Sequence, residues 1–167
     1  MIIRRLASSD SIEAVTALLH DAYAELGRMG LNYTAVDQTD DDTRERVARG
    51  DCLVATEDNQ LIGTIMFMEP SRTWGGTPWY RRADVAVIGQ FGVHPRFQRH
   101  GVGSRLLSAA EQLAVMSGAA ELALDTAESA DHLVAWYRRQ GFRFIEYAQW
   151  KGKTYRSVIM SKTVERS

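Results

Sequence analysis

One stretch limits the folds open to this chain more than any other: Gly89 to Leu107, GQFGVHPRFQRHGVGSRLL. An extended apolar run from Asp84 closes at Val93. Pro95 stops it, because proline cannot donate to a ladder and biases His94 before it towards extended backbone. A polar, basic turn from Arg96 to His100 leads into two glycines, Gly101 and Gly103. From Val102 the apolar positions Leu106, Leu107, Ala110, Leu113 and Ala114 recur at helical spacing. Strand, glycine turn and helix in that order point unpaired N–H groups outward at the positive end of a helix dipole, where phosphate binds. The turn is expected to hold a pyrophosphate, against the alternative that its glycines serve only tight geometry. No Gly-Lys-Ser/Thr follows, so it is not a P-loop. Leu106 also sits where a dinucleotide fingerprint needs glycine or alanine.

The rest of the chain arranges itself around this unit. Ile2 to Leu6 reads as a first strand. Asp10 and Glu13 stand at capping-box spacing ahead of a helix whose stripe is Val15, Leu18, Leu19, Ala22, Tyr23 and Leu26, ended by Gly27 and Gly30. Leu31 to Asp37 reads as irregular. The acidic cluster Asp37, Asp40, Asp41 and Asp42 precedes a short helix through about Arg49, and such a cluster reads first as helix-start charge on a solvated face. Cys52 to Thr56 and Leu61 to Met68 form a hairpin turned at Glu57 to Gln60. Pro70 to Arg82 is too broken by glycine and proline for an element. Asp84 to Val93 is a strand, about Gly101 to Ser117 its helix, and Glu121 to Thr126 the next strand. A helix from Ser129 or Asp131 to Gln140 follows. Phe142 to Trp150 and Thr154 to Met160, turned at Lys151 to Lys153, close the chain. The order βααββ–βα–βα–ββ puts one parallel pair among antiparallel neighbours, a mixed sheet. Without repeat or linker, residues 1–167 read as a single domain.

Composition excludes several classes of function. The net charge of −1 provides no overall basic field for nucleic acid or an anionic membrane surface. The single cysteine, Cys52, excludes an internal disulfide and any multi-cysteine metal site, and it reads as a buried small hydrophobe in an early strand. No metal site is expected. No apolar run reaches the ~18 residues of a membrane span, and the first residues lack a leader's apolar segment. A cytoplasmic protein is the expectation.

A second motif lies downstream. In Ala135-Trp136-Tyr137-Arg138-Arg139-Gln140-Gly141-Phe142, a tyrosine sits on a helix that ends four residues later in Gly-Phe. Alone, Tyr137 reads as a core tyrosine on the apolar face of Ala130, Leu133 and Val134.

Taken together and in this order, the motifs resemble the GCN5-related N-acetyltransferase (GNAT) superfamily. Gln98, Gly101 and Gly103 match its Gln/Arg-x-x-Gly-x-Gly/Ala signature, Val93-His94-Pro95 its strand end, and Tyr137 to Phe142 its Tyr-x-x-x-Gly-Phe. The resemblance covers nearly the whole chain and is strongest from Asp84 to Ile145. It implies an α/β (α+β) fold with a mixed, mostly antiparallel sheet of six to seven strands flanked by about four helices. It implies acetyl-CoA as co-substrate, with the pyrophosphate on the backbone of Arg99, His100, Gly101, Val102, Gly103 and Ser104, beside Gln98. The strand edge at Phe91, Gly92 and Val93 would pair with the pantetheine arm as with a peptide. The Val93 N–H would lie at the thioester carbonyl, suited to a developing oxyanion.

Tyr137 matches the general acid of the superfamily. Reference pKa values of ~8.5 for a thiol and ~10 for a phenol make full proton transfer uphill by roughly 2 kcal/mol, so a hydrogen bond that strengthens as thiolate forms is the more economical role. One departure concerns Ala130, where many members carry asparagine; its contact would be lost or supplied by Ser129 or Asp131. The general base would be a carboxylate or histidine near the strand ends. Relatives place an acid on the strand of Leu122 to Thr126, which points to Asp125; His94 and Glu128 are weaker candidates, and Gln90 cannot serve.

The resemblance implies an N-acetyltransferase acting on the amine of a small molecule or peptide by direct attack. The alternative is an acyl-CoA sensor that binds without turnover. The loop from Pro70 to Arg82, with Arg72, Trp74, Trp79, Tyr80, Arg81 and Arg82, either walls an acceptor pocket with arginines for a carboxylate or forms a hairpin extension or homodimer contact.

Overall fold

The computed structural model describes residues 1–73 and 75–165. Its strands are β1 (Ile2–Arg5), β2 (Asp51–Glu57), β3 (Gln60–Met68), β4 (Val85–Val93), β5 (Glu121–Ala127), β6 (Arg143–Ala148) and β7 (Ser157–Thr163). The α-helices are α1 (Ile12–Arg28), α2 (Thr34–Asp37), α3 (Asp40–Val47), α4 (Val102–Met116) and α5 (Asp131–Arg139). The seven strands form one sheet in the order β1-β2-β3-β4-β5-β7-β6. Only β4 and β5 run parallel, joined through α4; the other pairs are antiparallel.

Local chemistry explains most element ends. The β2–β3 hairpin turns at Asp58 (φ 49°) and Asn59 (φ 63°), both left-handed as its two-residue turn requires. Thr39 and Asp42 form a capping box on α3, so the acidic residues there are first-turn charges as expected. The cap of α1 is Ser11, whose side chain accepts from the Ala14 N–H, not Asp10. Asp10 instead accepts from the Arg4 guanidinium and the Ala7 N–H, which hold its pKa down at about 2. Gly27 does not end α1. It lies where α2 crosses closest, and a Cβ there would stand 2.9 Å from Val36 Cγ1. The single turn α2, in a stretch expected to be irregular, is too short to leave a periodic signal. β7 runs on to Thr163, past the expected Met160, because Lys162 and Thr163 pair with Leu122 and Glu121 of β5.

The sheet separates two apolar layers. On one face Leu106, Leu107, Ala110 and Ala114 of α4 pack on Leu53, Phe67, Ala86, Ile88, Leu122 and Leu124. Leu106 and Leu107 are fully buried, and each contributes about 1.5–3 kcal/mol relative to exposure. The opposite face of β2 and β3, with Cys52, Val54 and Met66, meets Val47 and Leu61. Ala123 of β5 points to that opposite face too, among Tyr80, Val85, Val87 and Ile159. Alternation then carries Asp125 to the same side. Among the described residues, no helix is long and apolar enough to cross a membrane.

Candidate active site

The central strands part company near the middle of the sheet. β4 pairs with β5 only from Val85 to Val87, against Glu121 to Ala123. On its other edge β4 carries a bulge. Met66 pairs with Gly89 and Thr64 with Gly92, so Gln90 and Phe91 together oppose Ile65. Gln90 adopts φ 46°, outside the usual range for a side-chain-bearing residue. A bulge bends its strand and sharpens the local twist. β4 thus veers from β5, and the gap opens into a cavity of about 1040 Å³. Gly89 to Val93, the turn before α4, Leu124 to Thr126 of β5 and one face of α5 all border it.

The direction of each backbone group on β4 follows from alternation. The His94 N–H donates to Ile62 O of β3 at 2.8 Å. Successive residues face opposite edges, so the Val93 N–H points into the gap and Gly92 turns to β3. Two side chains agree with this. The Tyr23 hydroxyl donates to Phe91 O at 2.7 Å and Gln98 Nε2 to Val93 O at 3.1 Å. Of the three residues expected to pair with a pantetheine arm, Val93 has the N–H facing the gap, while the Phe91 carbonyl already accepts from Tyr23. Gly92 also borders the cavity, and its packing is close. A Cβ there would lie 2.9 Å from Ala22 Cβ and 3.3 Å from Tyr23 Cε1.

The turn after β4 is built to expose N–H groups. Arg99 (φ 66°) and Gly101 (φ 79°) are both left-handed. Gly101 is the N-cap of α4 and supplies no side-chain acceptor. The first helical bond is Arg105 N to Gly101 O at 3.1 Å, which leaves the N–H groups of residues 102–104 without helical partners. Gln98, Arg99, Gly101, Gly103 and Ser104 border the cavity. Val102 differs, its side chain buried beneath Leu106 in the core, and His100 is exposed. Their expected contribution is therefore the backbone alone.

α5 forms the facing wall. Tyr137 sits at the cavity among Phe91, Trp136 and Phe142, with ring centroids 6.4, 5.2 and 5.7 Å away. Its hydroxyl has no hydrogen-bond partner among the described residues, and burial pushes its pKa well above the ordinary phenol value. Ala130 begins α5 fully buried against Leu26, Leu31 and Ala127, where a polar side chain would have no room to be solvated. Neither Ser129 nor Asp131 borders the cavity.

Asp125 stands deeper in the same cavity. Its Oδ1 accepts from the Tyr80 hydroxyl at 2.7 Å and its Oδ2 from Trp150 Nε1 at 3.0 Å. Burial raises its pKa, against those two bonds and the charges of Arg46 and Lys153, which pull it down. The other base candidates stand elsewhere. His94 Nδ1 accepts from the Arg96 N–H, and its Nε2 lies 3.7 Å from Asp21. Glu128 is paired with Arg156, which holds its pKa low.

The loop from Pro70 to Arg82 does not wall the cavity with arginines as one expectation had it. Its Tyr80 is fully buried and positions Asp125. Its arginines do not face the cavity: Arg72 donates to Ala48 O, and Arg82 pairs with Asp84 beneath the Trp79 ring. Trp74 lies outside the described residues. Beside the expected Phe91, Arg99 and Tyr137, the cavity draws further cations and aromatics to which sequence reading gave no role in the site: Arg46, Tyr23, Tyr33, Lys153 and Tyr155. Tyr33 and Tyr155 stack at 5.0 Å.

Known proteins share this chain's family and fold. The sequence model of the Acetyltransferase (GNAT) family matches residues 13–142. The chain is 28% identical over 160 residues to the S-(2-succino)cysteine N-acetyltransferase of Bacillus subtilis (strain 168), covering 95% of this chain and 93% of that protein. A protein of Pyrococcus horikoshii OT3 superposes with a TM-score of 0.77 at 18% identity, covering 99% of each chain. A GNAT family acetyltransferase from Elizabethkingia anophelis with acetyl-CoA bound superposes with a TM-score of 0.68 at 17% identity, covering 97% of each.

Proposed function

Because the chain belongs to the GNAT acetyltransferase family, we propose that it transfers an acetyl group from acetyl-CoA to an amine by direct attack, without a covalent enzyme intermediate. One juxtaposition carries this reading. The Val93 N–H, the uncapped start of α4 and the Tyr137 phenol all face one cleft where β4 leaves β5. Acetyl-CoA supplies the activated thioester; the chain supplies orientation, charge stabilisation and proton management.

The turn from Gln98 to Ser104 suits a pyrophosphate, since its backbone donors are uncapped and the dipole of α4 favours negative charge. The Val93 N–H stabilises charge developing on a carbonyl oxygen, and its strand is anchored on one side by β3. Tyr137 donates a hydrogen bond to the departing sulfur. Asp125 accepts the proton of the amine, each of its oxygens carrying one donated bond and keeping capacity for another.

Calorimetry with acetyl-CoA, followed by CoA release against a panel of amines, tests the proposal. S-(2-succino)cysteine, named for the Bacillus relative, belongs in that panel. Failure to bind acetyl-CoA overturns the reading, while binding without turnover on any acceptor favours the sensor.

Two variants probe separate parts of the machinery. Gly101→Ala forces a Cβ into a left-handed position (φ 79°), costing about 1–2 kcal/mol. Acetyl-CoA affinity should fall about tenfold, equivalent to about 1.4 kcal/mol, as the N–H groups lose alignment. Calorimetry reads this directly, and unchanged affinity would remove the turn from the binding site. Asp125→Asn addresses the base. The base must be ionised to work, so kcat/KM falls as pH drops through its raised pKa, above the ordinary value of ~3.9. Asparagine should abolish that acidic limb along with most of the activity; an unmoved limb would favour a water relay.

A further inference from the structure

At the acceptor end of the cleft two cations make no direct ion pair among the described residues, and the carboxylates of Asp125, Asp42 and Asp37 act on them only through space. Arg46, on α3, is half-buried and borders the cavity. It has one hydrogen bond, Nη1 to Gln38 Oε1 at 2.9 Å, to a neutral acceptor. Lys153, half-buried between β6 and β7, donates to Asn32 O at 2.8 Å and Thr34 Oγ1 at 3.1 Å, again neutral oxygens. Neither cation has an ion-pair partner among the described residues. Burial lowers the pKa of both.

The remaining carboxylates around the cavity are otherwise engaged. Glu25 pairs with Arg28, Glu45 with Arg49, and Asp42 caps Thr39. Asp125 is held by Tyr80 and Trp150.

A third polar side chain, Gln90, borders the same cavity. Gln90 is 4% exposed, and its Nε2 is buried without a partner. The direction of its amide follows from a chain of donors. A guanidinium only donates, so Gln38 must turn its oxygen to Arg46 and its amide nitrogen the other way. That nitrogen donates to Thr43 Oγ1 at 2.7 Å and to Gln90 Oε1 at 3.2 Å. Gln90 therefore keeps its own N–H₂ unspent. A buried donor left unmade is costly, and a small shift of the amide towards a ligand oxygen would offset that cost.

We propose that Arg46, Lys153 and Gln90 form a carboxylate-binding subsite, and that the acceptor is a small amine carrying one or more carboxylates. This rests on the proposed acetyl transfer, whose amine proton goes to neighbouring Asp125. Arg46 takes a carboxylate through its spare N–H groups, as a planar fork suits. Lys153 is well held for its part, since Asn32 donates to Gly152 O at 2.9 Å and accepts from the Thr154 N–H at 2.8 Å. Polyamines and aminoglycosides, which bring positive charge to two resident cations, are disfavoured.

The test is acceptor kinetics on the full chain with saturating acetyl-CoA. The panel pairs α-amino di- and tricarboxylates with their methyl esters, and adds spermidine, kanamycin and a lysine peptide. The carboxylates should be used at least tenfold better in kcat/KM than their esters. Arg46→Gln and Lys153→Gln should each raise the carboxylate acceptor's KM at least tenfold, with partial recovery in Arg46→Lys. Acetyl-CoA affinity by calorimetry should stay near wild type in all three, which also reports that they fold. Turnover confined to neutral or cationic amines, or an acceptor KM unmoved in Arg46→Gln, overturns the subsite and leaves acetyl transfer standing. Absence of turnover with every amine overturns the proposed reaction and this inference with it.

Discussion

Tyr137→Phe is expected to lower turnover by about 10²-fold while acetyl-CoA affinity stays close to wild type. The phenylalanine ring keeps the contacts with Phe91, Trp136 and Phe142, so the aromatic wall survives. The lost hydroxyl has no protein partner among the described residues, so folding stability should change little. Only the hydroxyl proposed to face the leaving sulfur is removed. Burial raises the phenol's pKa well above its ordinary value, which keeps it protonated, and a donor, throughout the neutral range. The basic limb of the pH–rate profile should therefore not belong to Tyr137. Single-turnover measurement separates the chemical step from product release. Wild-type turnover in the variant would return Tyr137 to the role of a core aromatic.

Gly92→Val should destabilise the protein by about 3 kcal/mol and lower activity through geometry. A Cβ at residue 92 would meet Ala22 Cβ at 2.9 Å, Tyr23 Cε1 at 3.3 Å and Leu19 Cδ2 at 3.6 Å, and valine adds two methyls to that crowd. The atoms belong to α1, whose Tyr23 hydroxyl reaches Phe91 O. Pushing α1 outward breaks that bond and frees the bulged part of β4 to move, carrying the Val93 N–H with it. Thermal unfolding with parallel acceptor kinetics checks this. Gly92→Ala should show a smaller effect, partly recovered by Ala22→Gly, which removes the nearest atom. Wild-type stability in Gly92→Val would mean that α1 does not need to approach β4 so closely.

Much of the fold was legible because its signals are local. Apolar spacing in Val102 to Ala114 depends only on helix period, and the left-handed turn at Asp58 and Asn59 on residues that tolerate that backbone. The single parallel pair followed from a strand–helix–strand order, and the sheet of six to seven strands came out as seven. The departures have equally local causes. Ser11 displaced Asp10 as a cap because Arg4, on a neighbouring strand, captured the aspartate. Gly27 stayed helical because a glycine can serve close packing as well as termination.

The site divides along the same line. The sequence by itself determined the half proposed to hold the cofactor: a strand end, a glycine turn and a helix start are contiguous, so one run of residues encodes their geometry. The tyrosine of the later helix could be named beside them because its own Gly-Phe ending marks it. Only the tertiary structure decided the acceptor half. Asp125 could be named from its strand, but Arg46, Gln90 and Lys153 come from α3, β4 and the turn between β6 and β7 and share no spacing. The tertiary bulge at Gln90 and the parting of β4 from β5 bring them to one cavity. Their burial, and hence which charges lack a partner, depends on packing among segments distant in the chain, which no local pattern records.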